Sequence, residues 1–566
     1  MKKLRSISVL CALVMALSCF AAFPAVAATP EWAESGDGLS AETAYIIKTA
    51  EQFHNFWAAM TNASTAITGY YKLGADIVLN TGDASEWGDD APTKYVWTCP
   101  IGNGKDFSGV FDGAGYTISG IYLKSSTTST KAALFAVIAG TVKNLKIKNS
   151  YFECIAQSGY VESGSFAGRL KGTVENCYSD AIITNNATPA SSNTNPVAIG
   201  GIVGAGFADV ATVKNCVFDG KILNSVGYVG GILGRANTTG ATIENCINLG
   251  YINSNNNDSV GGIFGNGYQV NVTIKNCMNL SNDITDYKET PGELIGGAYS
   301  ANSTYVKVEN FVTVEGYRTT RQFMASDGNK DYCANWKSQI KEISLGTLLS
   351  EDVTKESGAL AGWTYRAGSF PMPPKGEGNV DLELNLLLGL KFKGAAVRLD
   401  IDTGVKSGIR FSTTIDTDML ETLKNAGATI EGYGTYITVK EAIVGKDYDF
   451  TPDVLANKGW RCLDVTATEL FEGTRIAGTI ASVAVNSQEY ISRAYVKFTI
   501  GGVTYTHLAD YDDSNVRSVS FVAEAALDDF SDEYDEEKYK YEVVVSGVTK
   551  YSPYSTEQRQ YLDTLK

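Results

Sequence analysis

From about residue 130 to 312 the chain repeats one pattern of apolar and polar positions. A glycine-flanked apolar step such as Gly230-Gly231-Ile232-Leu233-Gly234 leads to a segment such as Thr242-Ile243-Glu244-Asn245-Cys246. The second segment returns as Thr141-Val142-Lys143-Asn144-Leu145, Thr173-Val174-Glu175-Asn176-Cys177, Thr212-Val213-Lys214-Asn215-Cys216 and Thr273-Ile274-Lys275-Asn276-Cys277, and in decayed form as Val308-Glu309-Asn310-Phe311. The asparagines recur at intervals of roughly 30 to 40 residues, the spacing of a solenoid in which each repeat is one coil. Within each segment apolar and charged residues alternate, which predicts a strand with one set inward and the other toward solvent. Glycines mark the bends. Asparagine tolerates left-handed backbone and can hydrogen-bond its copy in the next coil, which suits it to a corner. Phe135, Phe166, Ile202, Ile232 and Ile263 are expected to stack in one interior column.

Upstream, Thr49-x-x-Gln52 is a capping box ahead of Phe53, Phe56, Trp57 and Met60, and predicts an amphipathic helix in an N-terminal cap. A cap is expected because a bare solenoid end exposes unpaired strand edges. Downstream, Ile343 to Leu349 and Trp363-Thr364-Tyr365 would close the stack, and Pro371-Met372-Pro373-Pro374-Lys375-Gly376 reads as a linker. Beyond Val380 alternating strands take over, as in Ala395–Leu399, Gly408–Phe411, Tyr433–Ile437 and Arg493–Phe498. Three helices are predicted there: Asp418–Asn425 stopped by Gly427, Asn515–Asp529, and Ser555–Leu565 behind a Ser555-x-x-Gln558 capping box.

The repeat, with its lead-in at Gly36-Asp37-Gly38, Ala44–Ile47, Tyr71–Ile77, Trp97–Gly102 and Phe107–Ile118, resembles the GLUG repeats of bacterial adhesin-like and surface proteins over residues 36–374. The resemblance implies a right-handed parallel β-helix. The last part, through Gly408-Ile409-Arg410-Phe411 and Arg493-Ala494-Tyr495-Val496, is similar to a C-terminal module of secreted proteins from Gram-positive gut bacteria. The expected fold is therefore mainly β: a β-helix over 28–378, with an N-terminal cap at 28–105 and a C-terminal cap at 320–378, followed by a β-rich, sandwich-like domain with a few helices at 379–566.

Residues 1–27 read as a secretory signal peptide, with Lys2, Lys3 and Arg5 before an apolar run and Ala25-Val26-Ala27 as the cleavage site. No membrane span is expected after its removal. The formal charge of −16 argues against a nucleic-acid partner and fits an acidic extracellular surface. The chain holds ten cysteines, two of them in the leader. Cys177, Cys216, Cys246 and Cys277 directly follow the corner residues Asn176, Asn215, Asn245 and Asn276, and are expected to form a ladder of buried, reduced thiols. Parallel rungs lie about 4.8 Å apart, whereas disulfides prefer Cβ atoms about 3.8 Å apart.

Only two histidines are present, His54 and His507, so no paired-histidine metal site within one domain is expected. No nucleophile elbow, phosphate loop or C-x-x-C pair occurs, and no cofactor is expected. Asp510-x-Asp512 and Asp400-x-Asp402 lack the glycine and glutamate of a calcium loop and read as solvated or capping acids, as does the Asp528–Glu537 run. These observations favour a secreted or cell-surface, non-catalytic, adhesin-like protein whose partner is an extracellular glycan or a surface protein. The alternative is a carbohydrate-active enzyme, a polysaccharide lyase or glycosidase, with catalytic carboxylates such as Glu153 and Glu162 in loops between repeats. Glycosidases need two carboxyl groups roughly 5 to 10 Å apart. The outward column Lys143, Glu175, Lys214, Glu244, Lys275 and Glu309 instead alternates in sign, as a structural charge ladder would.

Overall fold

A computed structural model of the chain describes residues 29–566 apart from 126–129, 156–160, 186–196, 208–210, 226, 238–239, 255–258, 269–270, 282–283, 287–290, 300–305, 316–335, 398, 400–407 and 447. The signal peptide read at residues 1–27 and Asp400-x-Asp402 lie outside the described residues. The remainder is mostly β, a parallel solenoid followed by antiparallel sheets and a few helices.

Each central coil is built from five short strands that stack on those of the next coil. Among the described residues, sheet I has nine strands, from Tyr45–Ile47 to Val306–Glu309, and sheet II has nine, from Ile77–Val78 to Ile340–Ile343. Sheet III, from Val96–Trp97 to Ile284–Asp286, sheet IV, from Lys131–Ala132 to Ser259–Gly261, and sheet V, from Phe135–Ile138 to Ile295–Tyr299, complete the coil. The lead-in segments are themselves coils, since Tyr45–Ile47, Tyr70–Leu73 and Val110–Asp112 continue sheet I in register.

The chain turns from sheet I to sheet II at Asn144, Asn176, Asn215, Asn245, Asn276 and Asn310, all with φ between 49° and 54°. That left-handed conformation strains a β-branched residue and is tolerated by a short amide. Not every repeat glycine serves a bend. A Cβ on Gly201 would overlap the Phe218 ring, one on Gly231 the Asn248 amide, and one on Gly262 the Asn279 amide. These glycines make room across the interior for the inward side chain of sheet II in the same coil.

The interior column differs from expectation by one residue. Phe135 pairs with Ala167, Val203, Leu233 and Phe264 in sheet V. Phe166, Ile202, Ile232 and Ile263 form the adjacent buried column through Phe166 N to Ile202 O, Ile202 N to Ile232 O and Ile232 N to Ile263 O, and Leu134 precedes them. The first repeat carries two consecutive large residues at this corner, so apolar pattern alone left its register open.

Helix α1, Ala50–Thr61, starts at the capping box of Thr49 and Gln52 and buries Phe53 and Phe56 against Trp97 and Phe111. The C-terminal module pairs Lys391–Val397, Ile409–Thr414 and Arg475–Ile480 in one antiparallel sheet. A second joins Leu463–Ala467, Thr429–Val439, Tyr490–Ile500 and Val503–Leu508. Gly478 of the first lies directly on Thr435 of the second, so the sheets face each other as a sandwich. Helices α2 (Thr417–Asn425), α3 (Val519–Leu527) and α4 (Thr556–Asp563) match the three predicted, with one correction. Asn515 to Arg517 are not part of α3, because the Ser518 side chain accepts from Phe521 N and caps the helix there, and Val516–Arg517 pairs with a strand instead.

The proline run is not an exposed linker. Pro371, Met372 and Pro373 are buried, and Thr364 pairs with Met372. The following segment runs along the solenoid, where Asn176 Nδ2 donates to Val380 O at 3.2 Å and Lys143 meets Glu377 at 2.7 Å. Leu382, Leu384, Leu386, Leu387, Leu388 and Leu390 then share one apolar cluster with Tyr178, Val217, Ile247, Met278 and Val312 on the outer face of sheet II.

Candidate functional site

Sheet I carries two outward columns. One is threonine, with Thr141, Thr173, Thr212, Thr242 and Thr273 in register on successive rungs. The other alternates in sign through Lys143, Glu175, Lys214, Glu244, Lys275 and Glu309. Lys214 lies 3.0 Å from Glu175 and Lys275 2.8 Å from Glu244, and Lys307 pairs with Glu309. Partly exposed pairs of this kind contribute about 0–1 kcal/mol each. The Lys214–Glu175 and Lys275–Glu244 pairs link neighbouring rungs, whereas the Lys307–Glu309 pair lies within one strand.

At the corner beside this face, Asn176 Nδ2 donates to Asn144 Oδ1 at 2.8 Å, Asn245 Nδ2 to Asn215 Oδ1 at 2.9 Å and Asn310 Nδ2 to Asn276 Oδ1 at 2.9 Å. Directly inside, Cys177, Cys216, Cys246 and Cys277 are free thiols with no exposed surface. Each donates to the carbonyl two residues earlier, that of Glu175, Lys214, Glu244 or Lys275, at 3.1 to 3.3 Å. Each also approaches a carbonyl of the preceding coil at 3.6 to 4.0 Å. Burial, reinforced by the thiol of the preceding coil, pushes Cys216, Cys246 and Cys277 well above the ordinary thiol range. Such thiols are suited to packing rather than to nucleophilic chemistry.

Glu153 and Glu162 are not loop residues. They lie in strands Tyr151–Cys154 and Val161–Ser163. Glu153 is buried and sits 3.0 Å from Lys124. Glu162, its side chain 3 % exposed, has Lys131 at 3.6 Å. It accepts from Arg169 Nε at 3.1 and 3.0 Å and from Arg169 Nη2 at 2.6 Å. The guanidinium also lies over the Phe207 ring at 3.9 Å. The Glu162 carboxylate is thus compensated by Arg169 and Lys131 through charge-assisted hydrogen bonds and ion pairing.

The outer face of sheet II was not found from sequence. Its signal was present: each ladder cysteine is followed by a second apolar residue, in Cys177-Tyr178, Cys216-Val217, Cys246-Ile247 and Cys277-Met278, so the in–out alternation breaks where both faces of a sheet are buried. Toward the N-terminal coils this face turns polar. Lys148 meets Asp512 at 3.7 Å, Lys391 meets Asp219 at 3.3 Å, Tyr178 donates through its hydroxyl to Asp219 at 3.1 Å, and Lys393 pairs with Asp83. Burial opposes the charge on Lys391, but Asp219 and Asp180 outweigh it and hold its ammonium above the ordinary lysine value. Asp512 therefore joins the two halves of the molecule rather than standing solvated on the surface, and Asp510 accepts from Asn385 N at 2.8 Å.

The two histidines are far apart in role. His54 stacks between Trp57 and Tyr95, and its Nδ1 accepts from Trp97 Nε1 at 3.2 Å. His507 is fully buried, accepts from Leu388 N at Nε2 and faces Gly368 O through Nδ1 at 2.8 Å. Burial holds its pKa down to about 3, so the ring pins the leucine segment as a neutral tautomer that donates at Nδ1. Among the described residues, no group of three or more His, Cys, Asp or Glu side chains could hold a metal ion. No helix among them is long and apolar enough to cross a membrane.

No protein-family model matches the chain. Halomucin of Haloquadratum walsbyi is 31 % identical over 134 residues, which is 23 % of this chain and 1 % of that protein. A solved structure from Bacteroides ovatus, of a protein proposed to be an immunoglobulin A1 protease, aligns with 55 % of this chain and 86 % of its own, at 22 % identity and a TM-score of 0.36.

Proposed function

We propose that the chain is an exported, non-catalytic surface protein of adhesin type, built on GLUG-like coils, that holds an extracellular glycan or a surface protein. The outer face of sheet I carries this reading. Threonine hydroxyls repeat there on five successive rungs, beside a column of alternating charge, with the spacing of the backbone itself, and a periodic surface suits a repetitive or extended partner. The ion-paired state of Glu153 and Glu162 favours binding over the carbohydrate-active alternative. The local similarity to Halomucin supports an extracellular or cell-surface location.

Two measurements test the reading. The secreted protein is expected to begin at Ala28, and a first residue of Met1 would remove the export argument. The purified chain is expected to bind members of a glycan and matrix-protein array while releasing neither reducing ends nor unsaturated sugars from a polysaccharide panel. Sugar release above that of a heat-inactivated control would overturn the non-catalytic reading.

A further inference from the structure

Strands Tyr541–Val545 and Val548–Ser552 form a hairpin that pairs with neither larger sheet of the C-terminal module. Its turn at Ser546 and Gly547, with φ of 53° and 82°, is the two-residue type that sets Val545 opposite Val548 and Tyr541 opposite Ser552. In such a hairpin Val545, Val543 and Tyr541 turn their backbone groups toward the other strand, and Glu542 and Val544 turn theirs away. The same alternation sends the backbone of Tyr551 outward on the opposite edge, where Ser531 takes both of its bonds at 2.8 Å. Among the described residues no strand pairs with the edge formed by Glu542 and Val544.

This open edge is apolar. Val544 is 72 % exposed, Val548 55 % and Tyr541 37 %. Solvated edges are ordinarily blunted by lysine, proline or a bulge, and the run Tyr541-Glu542-Val543-Val544-Val545 contains none of these. The run also matches itself when reversed. Two copies laid antiparallel about a two-fold axis at Val543 bring Glu542 against Val544 of the second copy, in hydrogen-bonded positions, and Tyr541 against its Val545. Just outside, Lys540 falls beside Ser546 of the second copy. Aromatic and β-branched residues pair favourably across strands, and no like charges meet. Moving the axis to Glu542 would set that carboxylate on its own copy, and moving it to Val544 would leave Tyr541 facing the turn glycine Gly547.

We propose that this edge pairs with a second copy of the chain, joining two hairpins into one four-stranded sheet about a two-fold axis centred on Val543. Glu542 and Val544 of each copy then gain the backbone partners that the hairpin alone does not give them. Five residues from each copy make a small contact beside the roughly 1,200 Å² of a stable interface, so the pairing is weak and depends on concentration. Its consequence is bivalence. Two solenoids carried by one dimer raise the avidity for a repetitive partner without any new contact to it. The pairing itself does not depend on what sheet I holds.

The test is sedimentation velocity of the full mature chain over a concentration series up to its solubility limit. Val544→Pro removes an outward N–H and none of the hairpin's own bonds. Val544→Glu sets a second carboxylate against Glu542 of the other copy, and Val544→Lys sets the opposite charge there. The parent is expected to form a concentration-dependent dimer, Val544→Pro and Val544→Glu to weaken it about tenfold, and Val544→Lys to retain or strengthen it. Val543→Cys, whose copies meet on the axis, is expected to give a disulfide-linked dimer on mild oxidation, whereas Glu542→Cys, offset from its copy, is not. Val544→Glu changes an exposed side chain and decides the matter even if Val544→Pro does not fold. A parent that stays monomeric up to its solubility limit would overturn the proposal. So would a dimer that Val544→Glu leaves intact, equal weakening by Val544→Glu and Val544→Lys, or equal cross-linking of the two cysteine variants.

Discussion

Replacing Cys246 by alanine distinguishes a ladder of packed thiols from a column of disulfides. Cys246 stands between Cys216 and Cys277, has no exposed surface, and makes weak thiol hydrogen bonds of 3.2 Å to Glu244 O and 3.6 Å to Val213 O. Removing its sulfur takes away one methylene-sized group and leaves a small void, a loss of about 1 kcal/mol by comparison with Ile→Val changes in cores. Cutting a native disulfide would cost about 2–5 kcal/mol. The reduced state is also protected kinetically. A thiol at the ordinary value of 9.0 would be about 1 % ionised at pH 7, and Cys246 lies well above that value. Thermal melts of Cys246→Ala with and without reductant should therefore coincide and fall slightly below the parent. Alkylation of the denatured, unreduced secreted protein followed by mass spectrometry should find Cys177, Cys216, Cys246 and Cys277 all modified. Linked peptides joining Cys177 to Cys216 or Cys246 to Cys277 would refute the reasoning.

Three further outcomes follow from the geometry. Glu162→Ala leaves Arg169 and Lys131 facing a site without its carboxylate and should destabilise the chain by about 3 kcal/mol; a melting temperature equal to the parent's would mean the cluster is solvated in solution. His507 stays neutral when folded to about pH 3 but protonates near pH 6.5 when unfolded, so its contribution is complete above pH 6.5 and is lost as pH falls toward 3. The loss should reach several kcal/mol, and chemical denaturation of His507→Gln across that range should show a flatter pH profile than the parent. A chain ended after Pro373 exposes Tyr178, Val217, Ile247, Met278 and Val312, and is expected to self-associate on size-exclusion chromatography; a monodisperse monomer would show that the leucine segment is not needed as a cover.

Much of the architecture was legible from local pattern. Alternation in Thr-Ile/Val-Lys/Glu identifies a strand because side chains of a pleated backbone point to opposite faces. The period identifies a coil, and the corner asparagines are legible because left-handed backbone is a property of one residue at a time. Capping boxes at Thr49 and Ser555 identified helix starts for the same local reason. What the sequence could not decide depends on residues far apart in the chain. Glu153 and Glu162 look like loop acids until the stacking of coils brings Lys124 and Lys131 to them, with Arg169 reaching Glu162 from the next strand of the same coil. Gly201, Gly231 and Gly262 look like bend residues until the closed cross-section sets Phe218, Asn248 and Asn279 against them. The prolines look like a linker until sheet II offers a second apolar face, and Asp512 looks solvated until that same packing sets it beside Lys148. Periodicity records which way a side chain points, whereas only the closed coil and the module folded onto it determine what that side chain meets.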